Sequence, residues 1–402
     1  MKNTIILILI LMIFFSCKKE NQLFTEGDFL SFSTDTLLFD TVFTTVGSAT
    51  RYLKVYNNYD SDIIINSISL NKQSSSSFKL NIDGEASCLI NNTLLRQYDS
   101  LYIFTEVTID PNNLNIPFIE TDSIIFTYDN QVQHVALTAW GRDAYFHSGI
   151  ADEQQYMPES NNLSSMLLCD LLDLAELECP DSNISEMIDY YSINEHTVWS
   201  NDKPHVIYGD LIVENQADLI IQAGTEIYLH NNSWIIISSG SSFQANGTLS
   251  EPIWIQSDRT DSHSLTDYSN TPGQWGKIWI FPGSTNNHIE YTILKNGQRG
   301  IEIWGGSAAN YLSNNPMLTI KNSIIYNMSD IGILAVGSEV FGENLLISNC
   351  GQHLLYLDNG GNYDFKHCTF VNFWPFSRQT PSIVLNNYYE DVNDNIQNRD
   401  LI

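Results

Sequence analysis

The side chains best suited to acid–base chemistry lie near the C-terminal end of the sequence. His353, Asp358 and His367 fall within the short stretch 353–367. A histidine serves as a general base when a polar partner orients its ring and a substrate proton comes within hydrogen-bond reach. These three residues are the candidate catalytic residues. Ordinary surface polarity is the competing interpretation, and the sequence favours it because no convincing acid–base pair stands out.

A second segment has the oxygen ligands that Ca²⁺ prefers. Asp391 and Asp394 belong to the sequence Asp-Val-Asn-Asp-Asn at 391–395, which offers carboxylate and amide oxygens. These five residues resemble the linker Ca²⁺ motif of cadherins, but the flanking cadherin residues are missing. A short match arises easily in an asparagine-rich chain. We therefore expect no resident cofactor and keep Ca²⁺ at Asp391 and Asp394 as the alternative.

Tryptophans offer a clearer signal for ligand binding. Trp279, Trp304 and Trp374 lie at the edges and loops of the strand pattern described next. Aromatic rings exposed on a flat β surface stack on sugar rings and on other planar partners. These three residues are the candidate binding platform, and stacking inside the fold or under loops is the competing interpretation, which the sequence favours.

Four short segments that align without gaps organise the half of the chain that carries these residues. Each begins with a charged residue, ends in asparagine and alternates like a strand. The asparagines of the last three are spaced by 22 and 23 residues (327 to 349 and 349 to 372). Such a period is typical of a solenoid, in which neighbouring coils complete one another. The segments are EYTILKN at 290–296, KNSIIYN at 321–327, ENLLISN at 343–349 and KHCTFVN at 366–372.

The alternation divides each segment into inner and outer positions. An apolar inner row predicts that Ile325 and Ile347 are buried. The terminal asparagines are predicted to turn the chain and to hydrogen-bond from coil to coil. One outer row is also apolar, and we expect another part of the chain to cover it, with a ligand surface as the alternative. The inner row is Leu294, Ile325, Ile347 and Phe370, and the outer row is Ile293, Ile324, Leu346 and Thr369.

This pattern resembles right-handed parallel β-helix proteins, and the segment 198–255 is similar to the first coils of bacterial surface β-helices. The similarity rests on Gly209–Val213, Leu219–Ile227 and Gly240–Gly247. It covers about half of the chain and implies a fold more than a function, because one fold carries many functions. The whole layout resembles an uncharacterised group of Bacteroidota cell-envelope lipoproteins.

The sequence marks of β-helix enzymes are absent or incomplete. Polygalacturonase-type hydrolases carry Asn-Thr-Asp, Asp-Asp, Gly-His-Gly and Arg-Ile-Lys, none of which occurs in this sequence. Their two carboxylates must lie about 6.5–9.5 Å apart to admit a water. The sequence RQTP at 378–381 lacks the second arginine of the pectate-lyase motif. A β-helix polysaccharide lyase or glycoside hydrolase is therefore the alternative function rather than the preferred one.

Residues 28–145 are predicted to form a separate Ig-like β-sandwich. Short runs rich in β-branched and aromatic residues alternate there with polar turns. The sequence at 37–70, with later segments at 107–111 and 135–141, resembles the immunoglobulin-like ASH and HYDIN-type domains. That resemblance implies a spacer or an interaction module.

The β pattern is interrupted at 146–196, which we predict to be a partly helical linker or cap. Leucines recur at helical spacing from Leu163 to Leu174, which predicts a helix at about 163–177. The β-helix then occupies 197–402. No clear coil follows residue 372, so this domain is expected to end in a frayed coil or to be incomplete. The predicted fold class is all-β, with a short helical insert between a sandwich and a right-handed parallel β-helix.

Residues 1–16 have the features of a lipoprotein signal peptide. Lys2 precedes an apolar run at 5–15 that is too short to span a bilayer of ~30 Å as a helix. Ser16 and Cys17 follow and resemble a lipobox. Cleavage before Cys17 and acylation of its thiol and new amine would anchor the chain to a membrane, with 17–27 as a polar tether. An ordinary signal peptide with an incidental cysteine is the alternative.

The net charge of the chain restricts the classes of partner that it can bind. The formal net charge is −29, which disfavours nucleic acid and naked anionic polysaccharides. We therefore expect a non-enzymatic lipoprotein of the cell envelope, anchored to the outer membrane and exposed at the cell surface. Its β-helix would bind a polysaccharide or a surface protein.

The cysteines place one further constraint. Six occur in the sequence, so five remain once Cys17 is acylated, and an odd number cannot all pair within one chain. Cys169 and Cys179 can pair only if a helix ends before Cys179, because ten residues of straight helix rise by about 15 Å. Cys368 lies on an inner row and is expected to be a small core residue.

Overall fold

Strands dominate the computed structural model of this chain, which has the predicted all-β architecture of an Ig-like sandwich followed by a parallel β-helix. The first compact unit includes 50–109 and 118–141, and the second includes the described residues from Arg142 onward. Cys17, Asp391 and Asp394 lie outside the described residues. The structure describes residues 29–43, 48, 50–109, 118–149, 162–175, 187–260, 267–305, 316–390 and 396–398.

Two five-stranded sheets form the first unit, in the orders β1-β3-β8-β5-β6 and β2-β10-β9-β4-β7. Apolar residues alternate along their strands, so each sheet turns one side toward a common core. The strands are β1 (Ser31–Phe32), β2 (Thr36–Phe43), β3 (Arg51–Tyr56), β4 (Ile63–Leu70), β5 (Phe78–Ile82), β6 (Glu85–Ala86), β7 (Leu89–Leu95), β8 (Ser100–Val107), β9 (Phe118–Tyr128) and β10 (Gln131–Arg142).

The second unit winds short strands into successive coils whose neighbours pair in parallel. Its strands are β11 (Tyr145–Ser148), β12 (Leu163–Leu167), β13 (Met187–Ile193), β14 (Thr197–Trp199), β15 (His205–Tyr208), β16 (Asp210–Val213), β17 (Asp218–Ile221), β18 (Glu226–Leu229), β19 (Ile235–Ile237), β20 (Ser242–Asn246), β21 (Ile253–Ser257), β22 (Ile278–Ile280), β23 (Asn287–Glu290), β24 (Thr292–Lys295), β25 (Ile301–Trp304), β26 (Leu318–Lys321), β27 (Ile324–Tyr326), β28 (Ile331–Glu343), β29 (Leu346–Ser348), β30 (His353–Lys366), β31 (Thr369–Val371), β32 (Ile383–Leu385), β33 (Tyr388–Glu390) and β34 (Ile396–Asn398).

Each full coil contributes a strand to three faces. Face A contains β13, β16, β19, β22 and β25, and face B contains β14, β17, β20, β23 and β26. The long strands β28 and β30 continue face A with their first residues and face B with their last. Face C contains β11, β15, β18, β21, β24, β27, β29 and β31. Because β11 and β13 already pair in parallel with β15 and β16, the β-helix begins before residue 197.

The inner rows of all three faces meet in one apolar core. Leu294, Ile325 and Ile347 stand in register on face C, as the repeat predicts. Ile325 and Ile347 are buried, and that prediction is confirmed. Cys350 is a free, fully buried thiol beside them, whereas Cys368 is half-buried against the core.

Asparagines turn the chain between faces. Asn296, Asn327 and Asn349 all adopt positive φ, a conformation in which asparagine is several-fold enriched among non-glycine residues. The Asn327 amide donates to the Asn296 side-chain oxygen at 2.7 Å, which confirms hydrogen bonding from coil to coil. A parallel ladder joins Asn344 to Asn322 at 2.8 Å.

The helix of the insert is shorter than the leucine spacing predicts. Leu163–Leu167 forms β12, which pairs antiparallel with β13 at the edge of face A. The helix α1 spans only Leu168–Leu174. The predicted start at 163 is wrong because an unpaired sheet edge offers β12 backbone partners that outweigh a helical side-chain pattern. Cys169 is disulfide-bonded, and α1 ends before residue 179, so the helix does not prevent the pairing considered above.

No helix among the described residues is long and apolar enough to cross a membrane. The apolar outer row on face C is partly open, since Ile293, Ile324 and Leu346 are half-buried and Thr369 is exposed. Half-burial is what stacking in a parallel row produces without any further cover, because each side chain shields the next at ~4.8 Å.

Candidate functional site

The three candidate catalytic residues do not come together. His353 and Asp358 lie on the part of β30 that extends face A, whereas His367 is exposed in the turn beyond the strand. The His353 Nδ1 atom lies 2.7 Å from the Pro381 carbonyl oxygen. Asp358 accepts a hydrogen bond from the backbone N–H of the next residue. One repeat of sequence travels around the whole coil, so closeness along the chain does not create an acid–base pair.

The three tryptophans have different environments. Trp279 is only 4% exposed, so its predicted role in an exposed platform is wrong. Its ring packs in the outer row of face A with Ile212 and Ile236, and α1 covers this row through Leu171. Trp304 is half-buried and donates from Nε1 to Glu302 at 2.8 Å.

Trp374 is half-buried after the last strand of face C. Its ring centroid lies 6.0 Å from that of the exposed Phe376. Both rings are therefore accessible to solvent at this end of the described β-helix, and the binding role of Trp374 stays a prediction.

A charged cluster lies one coil beyond Trp279, around Glu302. Glu302 is 2% exposed and follows Trp279 in the same outer row of face A. Its Oε2 atom accepts from Lys277 Nζ at 2.9 Å and from Arg299 Nη1 at 2.6 Å. Because Trp304 occupies the other oxygen, the carboxylate is fully paired and fixes the positions of both cations. Arg299 also pairs with Asp330, at 2.6 Å.

Burial shapes the electrostatics of this cluster. It lowers the pKa of the Lys277 ammonium, an effect that Glu302 only partly offsets. Burial alone would raise the pKa of Glu302, but Lys277 and Arg299 outweigh it and hold that pKa below its usual value. Nearby, burial raises the pKa of Asp210 to about 6. Shifted groups gathered in a cleft are typical of functional sites.

The cluster forms one side of a cavity of about 260 Å³ in the turn region that leads into face A. Trp234 lies on its wall, and Lys277 Nζ stands 4.5 Å from that ring and 3.6 Å from Trp279. Gly276 is required here, because a Cβ atom would come within 1.9 Å of the Trp234 ring. We call this cavity the Trp234 pocket. Its lining residues are Trp234, Gly276, Lys277, Gln298, Arg299, Ser329 and Asp330.

A histidine–carboxylate pair lies at the C-terminal ends of two neighbouring strands of face C, since His230 follows β18 and Asp258 follows β21. His230 Nδ1 is 2.7 Å from Asp258 Oδ2, and Tyr208 donates to the same oxygen at 3.2 Å. The His230 ring stacks on Tyr208 with centroids 4.4 Å apart. With Nδ1 engaged, Nε2 is the nitrogen available to exchange a proton. This is the geometry of an oriented acid–base histidine.

Sequence reasoning predicted neither arrangement. One signal for the Lys277–Arg299 cluster was present in the sequence. Lysines and arginines are scarce, 18 in all, and two of them, Lys277 and Arg299, fall in successive coils. The pairing of His230 with Asp258 joins residues 28 positions apart and requires the coil register, which the sequence did not define for that region. Among the described residues, no group of three or more His, Cys, Asp or Glu side chains is arranged to hold a metal ion.

Comparison with known families bears on the same region. Residues 191–315 match the family of the pectate-lyase like beta helix domain. That match contains the strands of the first coils, Lys277, Arg299 and Glu302, and the His230–Asp258 pair, but less than half of the chain. A search of curated proteins found no match.

Distant likenesses to solved structures fall into three kinds. A family 123 glycoside hydrolase from Clostridium perfringens is 12% identical, with 28% of this chain and 25% of that chain covered, at a TM-score of 0.21. The ASH / PapD-like domain of human CEP192 (PapD-like domain 7) is 9% identical, with 28% of this chain and 85% of that chain covered, at a TM-score of 0.19. A protein of unknown function from Porphyromonas gingivalis W83 is 13% identical, with 34% of this chain and 62% of that chain covered, at a TM-score of 0.21. This chain thus spans about a quarter of the hydrolase, and all three are too distant to assign a function.

Proposed function

We propose that the β-helix is the carbohydrate-binding part of a cell-envelope lipoprotein, and that the Trp234 pocket holds part of a glycan. The single observation that carries this proposal is the lining of that pocket. An indole wall lies beside an ammonium, a guanidinium, an amide, a hydroxyl and a carboxylate. An aromatic face suits the C–H side of a sugar ring, and the polar groups suit its hydroxyls.

The charge balance and the volume of the Trp234 pocket restrict the class of ligand. Two cations, Lys277 and Arg299, are balanced by Glu302 and Asp330, so a neutral sugar fits better than an acidic one. A volume of about 260 Å³ lies just under the roughly 300–1,000 Å³ of pockets that enclose drug-sized molecules. The enclosed part of the ligand is therefore small, on the scale of one sugar ring, with the rest of the glycan outside.

The cellular setting of this proposal rests on the N-terminal sequence. The run 5–15 and Cys17 support export and acylation. The net charge of −29 supports a partner other than nucleic acid. A protein partner at the cell surface is the other occupant considered for the β-helix.

The test compares binding by wild type and Asp330→Asn to a panel of neutral polysaccharides, with retention and product release measured together. Asp330→Asn removes one of the two ion pairs of Arg299, leaving the one with Glu302, and removes a charged acceptor from the pocket wall. We expect the dissociation constant of the retained glycan to rise about 10-fold or more. The matched control is Asp364→Asn, an exposed carboxylate paired with Lys366 at 2.6 Å. Equal affinity in both variants would remove the pocket from the proposal.

A specific observation also favours a second function, a carbohydrate-active enzyme. The His230–Asp258 pair is an oriented acid–base group inside the region that matches the pectate-lyase like family. If the protein cleaves its glycan, His230→Gln should abolish product release while leaving retention unchanged. The control is His288→Gln, since His288 lies 3.3 Å from Glu290 in a similar half-exposed pair. Absence of product from the wild-type protein across the panel would exclude this second function for those glycans.

A further inference from the structure

The first unit exposes a group of aromatic rings on the outer side of its β1-β3-β8-β5-β6 sheet. Tyr52, Tyr102 and Phe104 are 45%, 43% and 42% exposed. Tyr52 stands opposite Phe104, and Lys54 stands opposite Tyr102, in the antiparallel pairing of β3 with β8. We call the three rings and Lys54 the aromatic platform.

These rings play no part in the core of the sandwich. The alternating residues of the same strands, Leu53 and Val55 on β3 and Ile103 on β8, are fully buried in that core. Strand geometry therefore sends the aromatic side chains to the opposite side of the sheet. Three large rings side by side on a solvent-facing sheet indicate contact with a partner.

The rings form a connected row. The Tyr102 centroid lies 5.9 Å from that of Tyr52 and 6.3 Å from that of Phe104. The Tyr102 and Phe104 planes are 16° apart, whereas the Tyr52 plane is tilted by 50° from that of Tyr102. Lys54 Nζ lies 4.9 Å from the Tyr102 centroid, so its ammonium is placed among the rings. Asn81 is directly opposite Phe104 on β5 and adds an amide at the edge of the row.

The size of the platform decides between kinds of partner. Since Tyr and Phe side chains present about 150–250 Å² each, the exposed fractions correspond to roughly 250–300 Å² in all. A stable protein interface needs about 800 Å² from each partner. A row this small, with hydrogen-bonding side chains at its edges, matches two or three sugar rings instead.

We propose that the aromatic platform binds a neutral glycan chain of the β-1,4-linked type. Such a chain presents the C–H faces of its rings to the aromatic planes, and its hydroxyls lie within reach of Lys54 and Asn81. This site lies wholly in the first unit and does not depend on the Trp234 pocket. It makes the sandwich a ligand-binding domain rather than a spacer.

The experiment is affinity electrophoresis of the full chain in gels that contain hydroxyethyl cellulose, followed by titration with cellohexaose. The proposal expects retardation of the wild-type protein and roughly tenfold weaker binding in Tyr102→Ala and in Phe104→Ala. Tyr98→Ala is the matched control, because Tyr98 is 72% exposed but lies in the turn before β8.

Three results would overturn the proposal. The first is no retardation of the wild-type protein, and the second is an equal loss of binding in Tyr98→Ala. The third is concentration-dependent dimerisation, measured by sedimentation, that disappears in Tyr102→Ala, since the rings would then form a contact between copies of this chain.

Discussion

Individual side chains show how strongly the β-helix depends on paired charges. Glu302 is buried between two cations and an indole N–H, and each of these groups would lose its partner if the carboxylate were removed. Unpairing a buried charge costs more than forming the pair contributes, because the desolvation of the remaining group is no longer offset. The cluster around Glu302 therefore supports the Trp234 pocket, and loss of its carboxylate would destabilise the fold.

We expect Glu302→Ala to lower the free energy of unfolding by about 3 kcal/mol. Lys277 would then be a buried ammonium without its main partner. Urea denaturation measures the change. Glu343→Ala is the control, because Glu343 forms an exposed pair with Lys321 at 3.3 Å, and its loss should cost at most about 1 kcal/mol. Similar losses in the two variants would contradict the buried ion-pair account.

A histidine pair on the first two strands of face C, β11 and β15, makes stability depend on pH. His205 Nε2 faces the Ser200 carbonyl and must carry a proton, so His205 Nδ1 accepts from His147 Nε2 at 3.0 Å. The His205 ring is therefore neutral, with its single proton on Nε2. Burial lowers the pKa of His205 to about 4 and lowers the pKa of His147 well below its usual value.

The sign of the effect follows from these shifts. The unfolded chain binds protons at these histidines near pH 6.5. In the folded protein His205 binds a second proton only near pH 4, and the pKa of His147 also lies well below its usual value, so stability falls as pH drops below 6.5. The loss for His205 is on the order of 3 kcal/mol between pH 7 and pH 4. We expect His147→Phe to flatten the slope of unfolding free energy against pH in urea titrations. His196→Gln, at an exposed histidine, should leave the slope unchanged, and a flattened slope there would contradict this assignment.

At the scale of the elements, the coils that carry the Asn ladder depend on continuous stacking. Their inner rows stack in register from β24 through β27 to β29, and every second residue enters the core. Removing atoms from such a row leaves a cavity that the neighbouring coils cannot close, because each coil is fixed by the next.

We expect Ile325→Ala and Ile347→Ala each to lower the free energy of unfolding by about 2–5 kcal/mol. The matched control is Ile324→Ala, which removes the same atoms from the half-buried outer row one residue away. Thermal or urea unfolding should show a clearly smaller loss for the control. A wild-type melting curve for Ile325→Ala would contradict the inner-row assignment.

The same coils explain what the sequence could predict. The buried rows and the asparagine turns were predictable, because both depend on local spacing. Apolar and polar residues alternate in Thr292–Lys295 and in the three segments that align with it. The start of α1 was not predictable, because the strand partner of Leu163–Leu167 lies at 187–193 and becomes available only in the folded sheet. The Trp234 pocket was hidden for a similar reason, since its lining comes from four successive coils.

At the scale of the whole molecule, the proposed anchoring of the chain to a membrane has to be compatible with its net charge of −29. Its charge opposes contact with anionic surfaces, so attachment would have to come from acyl chains. More than one chain is needed for stable anchoring, which acylation of both the thiol and the new amine of Cys17 would supply.

We predict that Cys17→Ala leaves the protein without acyl chains and moves it out of the membrane fraction. Metabolic labelling with a fatty-acid probe measures this. Cys368→Ala, which keeps Cys17, is the control and should label as wild type does. Equal labelling of the two variants would contradict acylation at Cys17.

The central claim is that a neutral sugar binds in the Trp234 pocket, and a crystal structure of the full chain soaked with the retained oligosaccharide tests it most directly. The account predicts density for a sugar ring against Trp234, with hydroxyls in hydrogen-bond contact with Arg299 and Asp330. A pocket that stays empty while the same oligosaccharide is ordered elsewhere on the β-helix would contradict it.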